Sequence, residues 1–340
     1  MMKPCFSLDW LSFSAILPRP ISGAELVEDA WRRRRGFVVH PSTRIYSDVV
    51  SIYKTPNCDS KLYTICANPR TPILPPSIVH IQLSNLMCYS DYIGTALAIV
   101  RHWKGSDIRI SRVDVACDFE RVDEFGDPDK FIRAFVSGDV LLRRFSKWQV
   151  YGCGDDKGND VTGFAWGSRT SSVYSRLYNK RKEMSDTRQS KPYIFERWVR
   201  HGWKGDSDVW RLEFECKRLR AMQGEIYING DLHQWQPSDL EGRWHGLYKR
   251  YGNFVRPTAT RKTRCKPYWL IEPNALYPIV EPVVGDCDDT KRLIHKDADR
   301  LINAMDKFTD SHKFGKDELR DEVAALSYAL RKKYWTAPQL

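Results

Sequence analysis

Tyr178 lies in SRLYNKRKEM, residues 175–184, among Arg176, Lys180, Arg181 and Lys182. A tyrosine among cations is either a packing aromatic with one polar tip or a nucleophile whose phenolate the positive charge favours. Two other stretches bear on the choice. RVDVACDF (112–119) and RLEFECK (211–217) alternate polar and apolar residues, and in a strand alternate residues share a face. The first places Arg112, Asp114, Ala116 and Asp118 on one face, against Val113, Val115, Cys117 and Phe119. The second places Arg211, Glu213, Glu215 and Lys217 together, against Leu212, Phe214 and Cys216. Tyr174, Arg176, Tyr178 and Lys180 likewise share a face in the third strand.

If those strands are neighbours, their polar faces make one surface holding carboxylates, a tyrosine and cations. Hard oxygen ligands of this kind suit Mg²⁺ or Mn²⁺ rather than zinc. Such an ion beside a tyrosine is equipment for phosphodiester transesterification. The metal polarises a non-bridging phosphate oxygen. Tyr178, with a free pKa of about 10, attacks, and Arg176 and Lys180 offset the charge that builds up. The products are a 5′-phosphotyrosine link and a free 3′-OH. The competing reading is a solvated antiparallel sheet face, where mixed charge is usual and cross-strand pairs such as Asp114 with Arg211 add modest stability.

The elements that must position these residues are readable from periodicity and punctuation. DWLSFSAIL (9–17), RIYSDVVSIYK, KLYTICAN and VHIQLS read as strands, the middle two as a hairpin. Residues 91–103 read as a helix with Ile93, Leu97 and Val100 on one face. Asp127-Pro128 marks a helix start. Two strands meet at Gly167-Ser168, and helix covers much of 182–203 with a break near Pro192. VRPTATRKTRCKP (255–267) reads as a basic linker, followed by amphipathic helices over 293–308 and 316–334. The expected division is therefore a domain over residues 1–255 and a linker with a helical region over 256–340. The fold class expected is α+β, a largely antiparallel sheet with helices on one face and the catalytic groups on the other.

The chain has 340 residues and a net charge of +11 (54 Lys and Arg against 43 Asp and Glu), which favours a polyanion, nucleic acid first. Twelve tryptophans and sixteen tyrosines supply faces on which bases can stack. Arg32, Arg33, Arg34, Arg35, Arg169, Arg181 and Lys182 are candidate phosphate contacts. The run Arg32 to Arg35 reads equally well as a solvated helix end. The nine cysteines are scattered, without CxxC or zinc spacing, and the histidines show no metal pattern. The N-terminus does not read as a signal peptide and no apolar run spans a bilayer, so a cytoplasmic protein without membrane contact is expected. No GxxxxGK[ST] occurs, so ATP-driven unwinding would fall to another protein.

In order, RVDVACD, TGFAWGSRTSSVYSRLYNKRKE and WRLEFECK resemble the replication initiation factors of the Rep_trans type, the rolling-circle initiators of small plasmids and filamentous phages. DWLSF resembles the opening of the phage-type members, and the resemblance covers roughly residues 9 to 220, by motif order. It implies strand nicking at an origin, a hairpin or single-stranded nick site, through a tyrosine and a carboxylate-bound divalent metal in a bacterial host cell. By position the nucleophile falls on Tyr178, the metal carboxylates on Asp114 and Glu213, and the basic partner on Lys180. Asp118 and Glu215 share those faces. The chain has no His-hydrophobic-His motif, so it departs from the histidine-metal nickases. The region past 255 is left with dimerisation (a homodimer), origin reading or host helicase recruitment. The alternative from another class is a non-catalytic DNA-binding regulator on the same scaffold. Tyr174 shares that face, as a second nucleophile or, more in keeping with aromatic side chains, a stacking or packing residue; His80, in VHIQLS, reads as a structural histidine or one that approaches the site.

Overall fold

The computed structural model describes residues 1–56, 58–122, 124–143, 145–155, 158–187, 191–217, 227–228, 236–257 and 267–280. The linker residues 258–266 and the amphipathic helices expected over 293–334 lie outside the described residues.

The chain opens with β1 (Cys5–Ile16), α1 (Gly23–Arg32), β2 (Gly36–His40), β3 (Tyr46–Tyr53), β4 (Lys61–Pro69), β5 (Ile78–Leu83), α2 (Asn85–Cys88) and α3 (Tyr92–His102). A second series follows: β6 (Ser106–Phe119), α4 (Pro128–Ser137), β7 (Leu141–Leu142), β8 (Trp148–Asp155), β9 (Gly158–Trp166), β10 (Val173–Asn179), α5 (Lys180–Asp186), α6 (Pro192–Arg200) and β11 (Trp210–Lys217). It closes with β12 (Tyr227–Ile228), α7 (Leu240–Tyr251), β13 (Phe254–Val255) and β14 (Pro267–Tyr268). Local signals set these boundaries. Ser22 and Glu25 form a capping box on α1. Pro128 and Pro192 start α4 and α6, where a missing N–H costs nothing. Gly138 ends α4 at φ 89°, a left-handed conformation that favours glycine.

Eleven strands form one antiparallel sheet in the order β2-β3-β4-β5-β1-β6-β11-β10-β9-β8, with β12 paired to β6. The order is symmetric about the β1–β6 pair. In each half the first strand leads into a helix and a run of strands, and the last strand returns to pair with the first: β5 with β1, and β11 with β6. This duplication of topology carries no sequence repeat that the eye can follow.

The α+β expectation holds. The alternation in β6 and β11 sends Val113, Val115, Cys117, Leu212, Phe214 and Cys216 into one core. There they meet Leu26 and Ala30 of α1, Ala96 and Val100 of α3, Phe131 and Phe135 of α4, and Trp244 and Leu247 of α7. Cys117 and Cys216 are fully buried, and the cysteines of the described residues are free thiols, as their scatter implied. Among the described residues the opposite face is covered by helices at one end. There α5 and α6 form a second small core with Met2 and Cys5, built on Met184, Ile194 and Trp198.

The main core extends past the boundary expected near residue 255. β14 pairs with β13, and Tyr268, Leu270 and Ile271 are buried in it. Trp244 joins this stretch to the sheet: its indole N–H donates to Leu212 O at 3.1 Å, and its ring meets Phe214 and Tyr248. Trp244→Ala is expected to cost about 3–5 kcal/mol, the range for emptying a buried Trp site. Denaturant unfolding would show it as a lowered midpoint with an unchanged slope.

Candidate active site

The three sequence-predicted strands are neighbours, in the order β6-β11-β10. Their register sets three rows across the polar face. Tyr174 faces Glu215, which faces Asp114; Arg176 faces Glu213, which faces Ala116; Tyr178 faces Arg211, which faces Asp118. The cross-strand pair expected between Asp114 and Arg211 is therefore replaced by Asp114 against Glu215 and Arg211 against Asp118.

Neither sequence reading anticipated the burial of this face. Asp114, Glu213, Glu215, Asp118 and Arg211 are all 2 % exposed or less. Such charges persist only when paired, and each one is. Arg112 donates to Asp114 Oδ1 at 2.9 Å and to Glu215 Oε2 at 3.0 Å, and its guanidinium lies 4.3 Å over the Trp10 ring. Lys217 pairs with Glu215. Arg176 donates to Glu213 Oε1 at 2.9 Å.

Tyr178 sits half-buried at the rim of this array. Its hydroxyl donates to Glu213 Oε2 at 3.0 Å and accepts from Lys180 Nζ at 3.4 Å. Lys180 is the first residue of α5, after Asn179 caps that helix through Lys182 N, yet its ammonium still reaches back to the tyrosine. Gly163 of β9 faces Tyr178, and a Cβ there would come within 3.2 Å of Tyr178 Cβ, so the glycine leaves room for the ring. Burial first, then Glu213 and Asp9, push the phenol well above its ordinary value, and Arg211 and Arg176 pull against them without prevailing. This corrects the expectation that the surrounding cations favour the phenolate. The arrangement holds a phenol beside a carboxylate able to take its proton.

Asp118 belongs to a different cluster. Arg211 donates to it at 2.6 and 2.7 Å, and the Trp198 indole at 2.8 Å. Arg211 also bonds Tyr89 Oη at 2.6 Å and pairs with Asp9. Asn85 and Tyr89 donate to Asp9 at 3.0 Å. Burial works to raise the Asp9 carboxyl, but Arg211 and Lys180 outweigh it and hold it well below the carboxylate range. This cluster ties β1, β6, β11 and α6 together beneath the tyrosine. Asp9 was legible as an acid in DWLSF; Tyr89, Asn85 and Trp198 carry no sequence signal of this role.

The remaining candidates scatter. Arg32, Arg33, Arg34 and Arg35 run from the end of α1 to the start of β2. That strand is seven from β10, roughly 34 Å at about 4.8 Å per strand. Arg32 pairs with Glu28, Arg33 with Asp29, and Arg35 donates to Lys54 O at 3.0 Å. Arg34 is exposed in the turn between α1 and β2, at a left-handed φ of 52°, and its N–H donates to Trp31 O at 2.9 Å. A turn at a helix end accounts for that residue as the solvated-end reading expects. The sheet holds Arg32, Arg33, Arg34 and Arg35 at the edge away from the tyrosine.

Arg181 donates to Ser207 O at 3.1 Å, and Lys182 to Cys153 Sγ at 2.9 Å, both just past the site. Arg169 is exposed, 4.8 Å over the Tyr174 ring. Tyr174 lies four residues from Tyr178, roughly 13 Å along the strand; its hydroxyl is 3.3 Å from Tyr151 Oη, and burial pushes it up to about 12. His80 lies on β5, in the other half of the sheet. A cleft of about 840 Å³ near Glu120, Asp127, Asp208 and Trp210 takes in only Lys182 of the predicted set.

Asp114, Glu213 and Glu215 have the donor chemistry for a hard divalent cation. Among the described residues no group of three or more His, Cys, Asp or Glu is arranged to hold one. Arg112 bridges Asp114 and Glu215 instead. The residues fit Mg²⁺ or Mn²⁺ in donor type, with a guanidinium between two of the carboxylates.

Comparison places this geometry on a known fold. The chain is similar to a solved structure described as a rolling circle replication initiator protein from Geobacillus stearothermophilus. The TM-score is 0.51, with 14 % identity, over 83 % of this chain and 100 % of that one. At that identity the likeness is one of fold. No family model matches, and no curated protein does. Among the described residues no helix is long and apolar enough to cross a membrane.

Burial, with Glu213 adding to it, pushes the Asp114 carboxyl up to about 8 against the pull of Arg112. Unfolded, it ionises near 3.8. Between those values the folded chain holds the extra proton, so the stability this group contributes is full at the acid end and is lost as pH rises through about 8. The melting temperature of the metal-free protein is expected to fall between about pH 5.5 and about pH 8.5, and the fall should be shallower in Asp114→Asn. Parallel slopes for the two proteins would remove Asp114 as the cause.

Proposed function

We propose that this chain is a rolling-circle replication initiator that nicks and rejoins one strand at its origin through a covalent 5′-phosphotyrosine on Tyr178. The observation that carries the reading is the placing of the Tyr178 hydroxyl between Glu213 and Lys180, on a fold shared with a replication initiator. The net charge of +11 suits a DNA substrate.

In this reading Tyr178 Oη attacks the scissile phosphorus. Its proton passes to Glu213 Oε2, already its hydrogen-bond acceptor, as general-base catalysis requires. The P–O3′ bond breaks, the leaving 3′-oxygen takes a proton from solvent water, and the 5′-phosphate stays on the tyrosine. Lys180 and Arg176 offset the charge on the five-coordinate transition state. Asp114 and Glu215, once Arg112 moved off them, would supply oxygen donors to Mg²⁺ or Mn²⁺, which would polarise a non-bridging phosphate oxygen. Rejoining is the reverse attack by a free 3′-OH. A host helicase would open the duplex, and the region beyond residue 280 is the proposed place for its recruitment or for dimerisation. A bacterial cytoplasm is the compartment this function implies.

The test is an incubation with single-stranded oligonucleotides tiled across the cognate origin, with Mn²⁺ or EDTA, run on a denaturing protein gel. A metal-dependent protein–DNA adduct is expected. It should vanish in Tyr178→Phe and form at least ~100-fold more slowly in Glu213→Gln, the lower range for a lost general base. An adduct surviving in Tyr178→Phe would move the chemistry to another tyrosine. Binding without cleavage on every origin fragment would make the chain a DNA-binding regulator.

A further inference from the structure

The two halves of the sheet differ in what covers their polar face. Between β10 and β11 the chain inserts α5 and α6, which close over the Asp118 end of the catalytic half. The corresponding connection in the first half, between β4 and β5, is the short loop 70–77. Among the described residues that half has no helical cover on its polar face, and its side chains there are of another kind. One cross-strand row runs Ser51, Thr64, Gln82, Ser12, Arg112, each paired in register with the next. The row ends on the guanidinium that bridges Asp114 and Glu215. Beside it lies His80, half-buried, its ring stacked on Tyr46 at 6.2 Å and its Nδ1 3.5 Å from Ser111 Oγ.

Before Arg112 this lane holds no charged side chain. Ser51 is buried and bonds Thr64 at 2.9 Å and His40 at 2.8 Å, which fixes the threonine. Thr64, Gln82 and His80 are partly exposed. Burial lowers the His80 pKa, which keeps the ring neutral. Amides, hydroxyls and imidazoles of this kind hydrogen-bond base edges as well as phosphate and sugar, and a lane without cations adds little of the sequence-independent electrostatic attraction. A flat sheet face with a stacked ring pair suits unpaired bases laid across it.

We infer that the polar face of the first half, centred on Thr64, Gln82 and His80, is the sequence-reading surface for the single-stranded DNA that adjoins the nick. The inference rests on the function proposed above and adds the place where sequence is read. The lane's continuity with Arg112, and through it with the carboxylates, sets the occupant: a strand whose scissile phosphate lies at Tyr178 continues over β6, β1, β5 and β4. Arg32 to Arg35, at the far edge near α1, are outside this path.

The test uses the full chain carrying Tyr178→Phe, which blocks turnover, in a selection from a randomised single-stranded DNA library. The parent is expected to enrich a sequence motif and to prefer it over a scrambled oligonucleotide by at least ~10-fold in fluorescence anisotropy. Gln82→Ala with His80→Ala should bring that ratio close to unity and leave the affinity for the scrambled strand unchanged, because loss of base contacts spares phosphate contacts. A photo-crosslink from 5-iodouracil in the selected strand to peptides of β4 or β5 provides a readout in the unsubstituted lane. A double variant that melts like its parent and keeps its preference overturns the inference. So does a parent that enriches no motif, or crosslinking confined to Arg32–Arg35 or Arg181–Lys182. If the Tyr178 adduct forms and the lane fails these tests, the proposed function stands without it. If no adduct forms but the lane passes, only the nicking reading falls.

Discussion

The pairing of buried charges across β10, β11 and β6 is the constraint on which the rest of the structure depends. Removing a carboxylate or guanidinium from water costs several kcal/mol per ion, and excellent pairing is needed to offset it. Here the offset comes from register. Arg211 meets Asp118, Arg176 meets Glu213, and Arg112 meets Asp114 and Glu215. A slip of one residue in β11 would turn Arg211, Glu213 and Glu215 into the apolar core and Leu212 and Phe214 out of it. The ion pairs thus work chiefly as a specification of strand alignment, and Tyr178 inherits its position from that alignment.

The same constraint explains the helical insertion. A face carrying Asp118 and Arg211 at zero exposure needs a lid that supplies hydrogen bonds as well as apolar area. Trp198 of α6 does both: its ring is buried in the second core and its indole N–H reaches Asp118. Tyr193 of the same helix bonds Asn85, which bonds Asp9. The lid ends short of Tyr178, so one hydroxyl lies at the boundary between a closed ionic interior and an open polar sheet. The first half of the sheet carries serine, threonine, glutamine and histidine where the second carries ions, and it has no comparable insertion. Two halves with one topology differ in cover and in charge together.

Much of this was legible in the sequence because period-two alternation is a strong signal. RVDVACDF, WRLEFECK and VYSRLYNK show which residues share a face, and those faces do come together. The break at Pro192 and the start at Pro128 were equally plain. Strand adjacency was not, since pairing order depends on which hydrophobic surfaces meet in three dimensions. The assignment of Asp114 opposite Arg211 failed for that reason: shared faces say nothing of relative shift. Burial of the polar face was hidden too. At the Asp118 end it arises from α5 and α6 folding back, and at Asp114 and Glu215 from Arg112 and Lys217 laid across them; a mixed-charge strand face reads the same whether water or such side chains cover it. The core contribution of Tyr268, Leu270 and Ile271 was masked by the basic composition of the preceding segment, which resembles a linker and says little about where the chain goes next.

The chemistry at Tyr178 turns on the balance among these effects. Counting cations in RLYNKRK favours a phenolate, but the count omits burial and the carboxylates brought in by other strands. Arg176 is drawn to Glu213, and Arg211 to Asp118 and Asp9, so much of their field is already balanced by carboxylates. Burial of the phenol then weighs toward the neutral form. On the proposed function, a tyrosine so placed would stay protonated until a phosphodiester arrives, and its activation would depend on Glu213 accepting the proton as the bond to phosphorus forms. Charge that would have favoured a standing phenolate is instead taken up in ion pairs, and the phenol is left 3.0 Å from the Glu213 carboxylate that the proposed mechanism uses as its base.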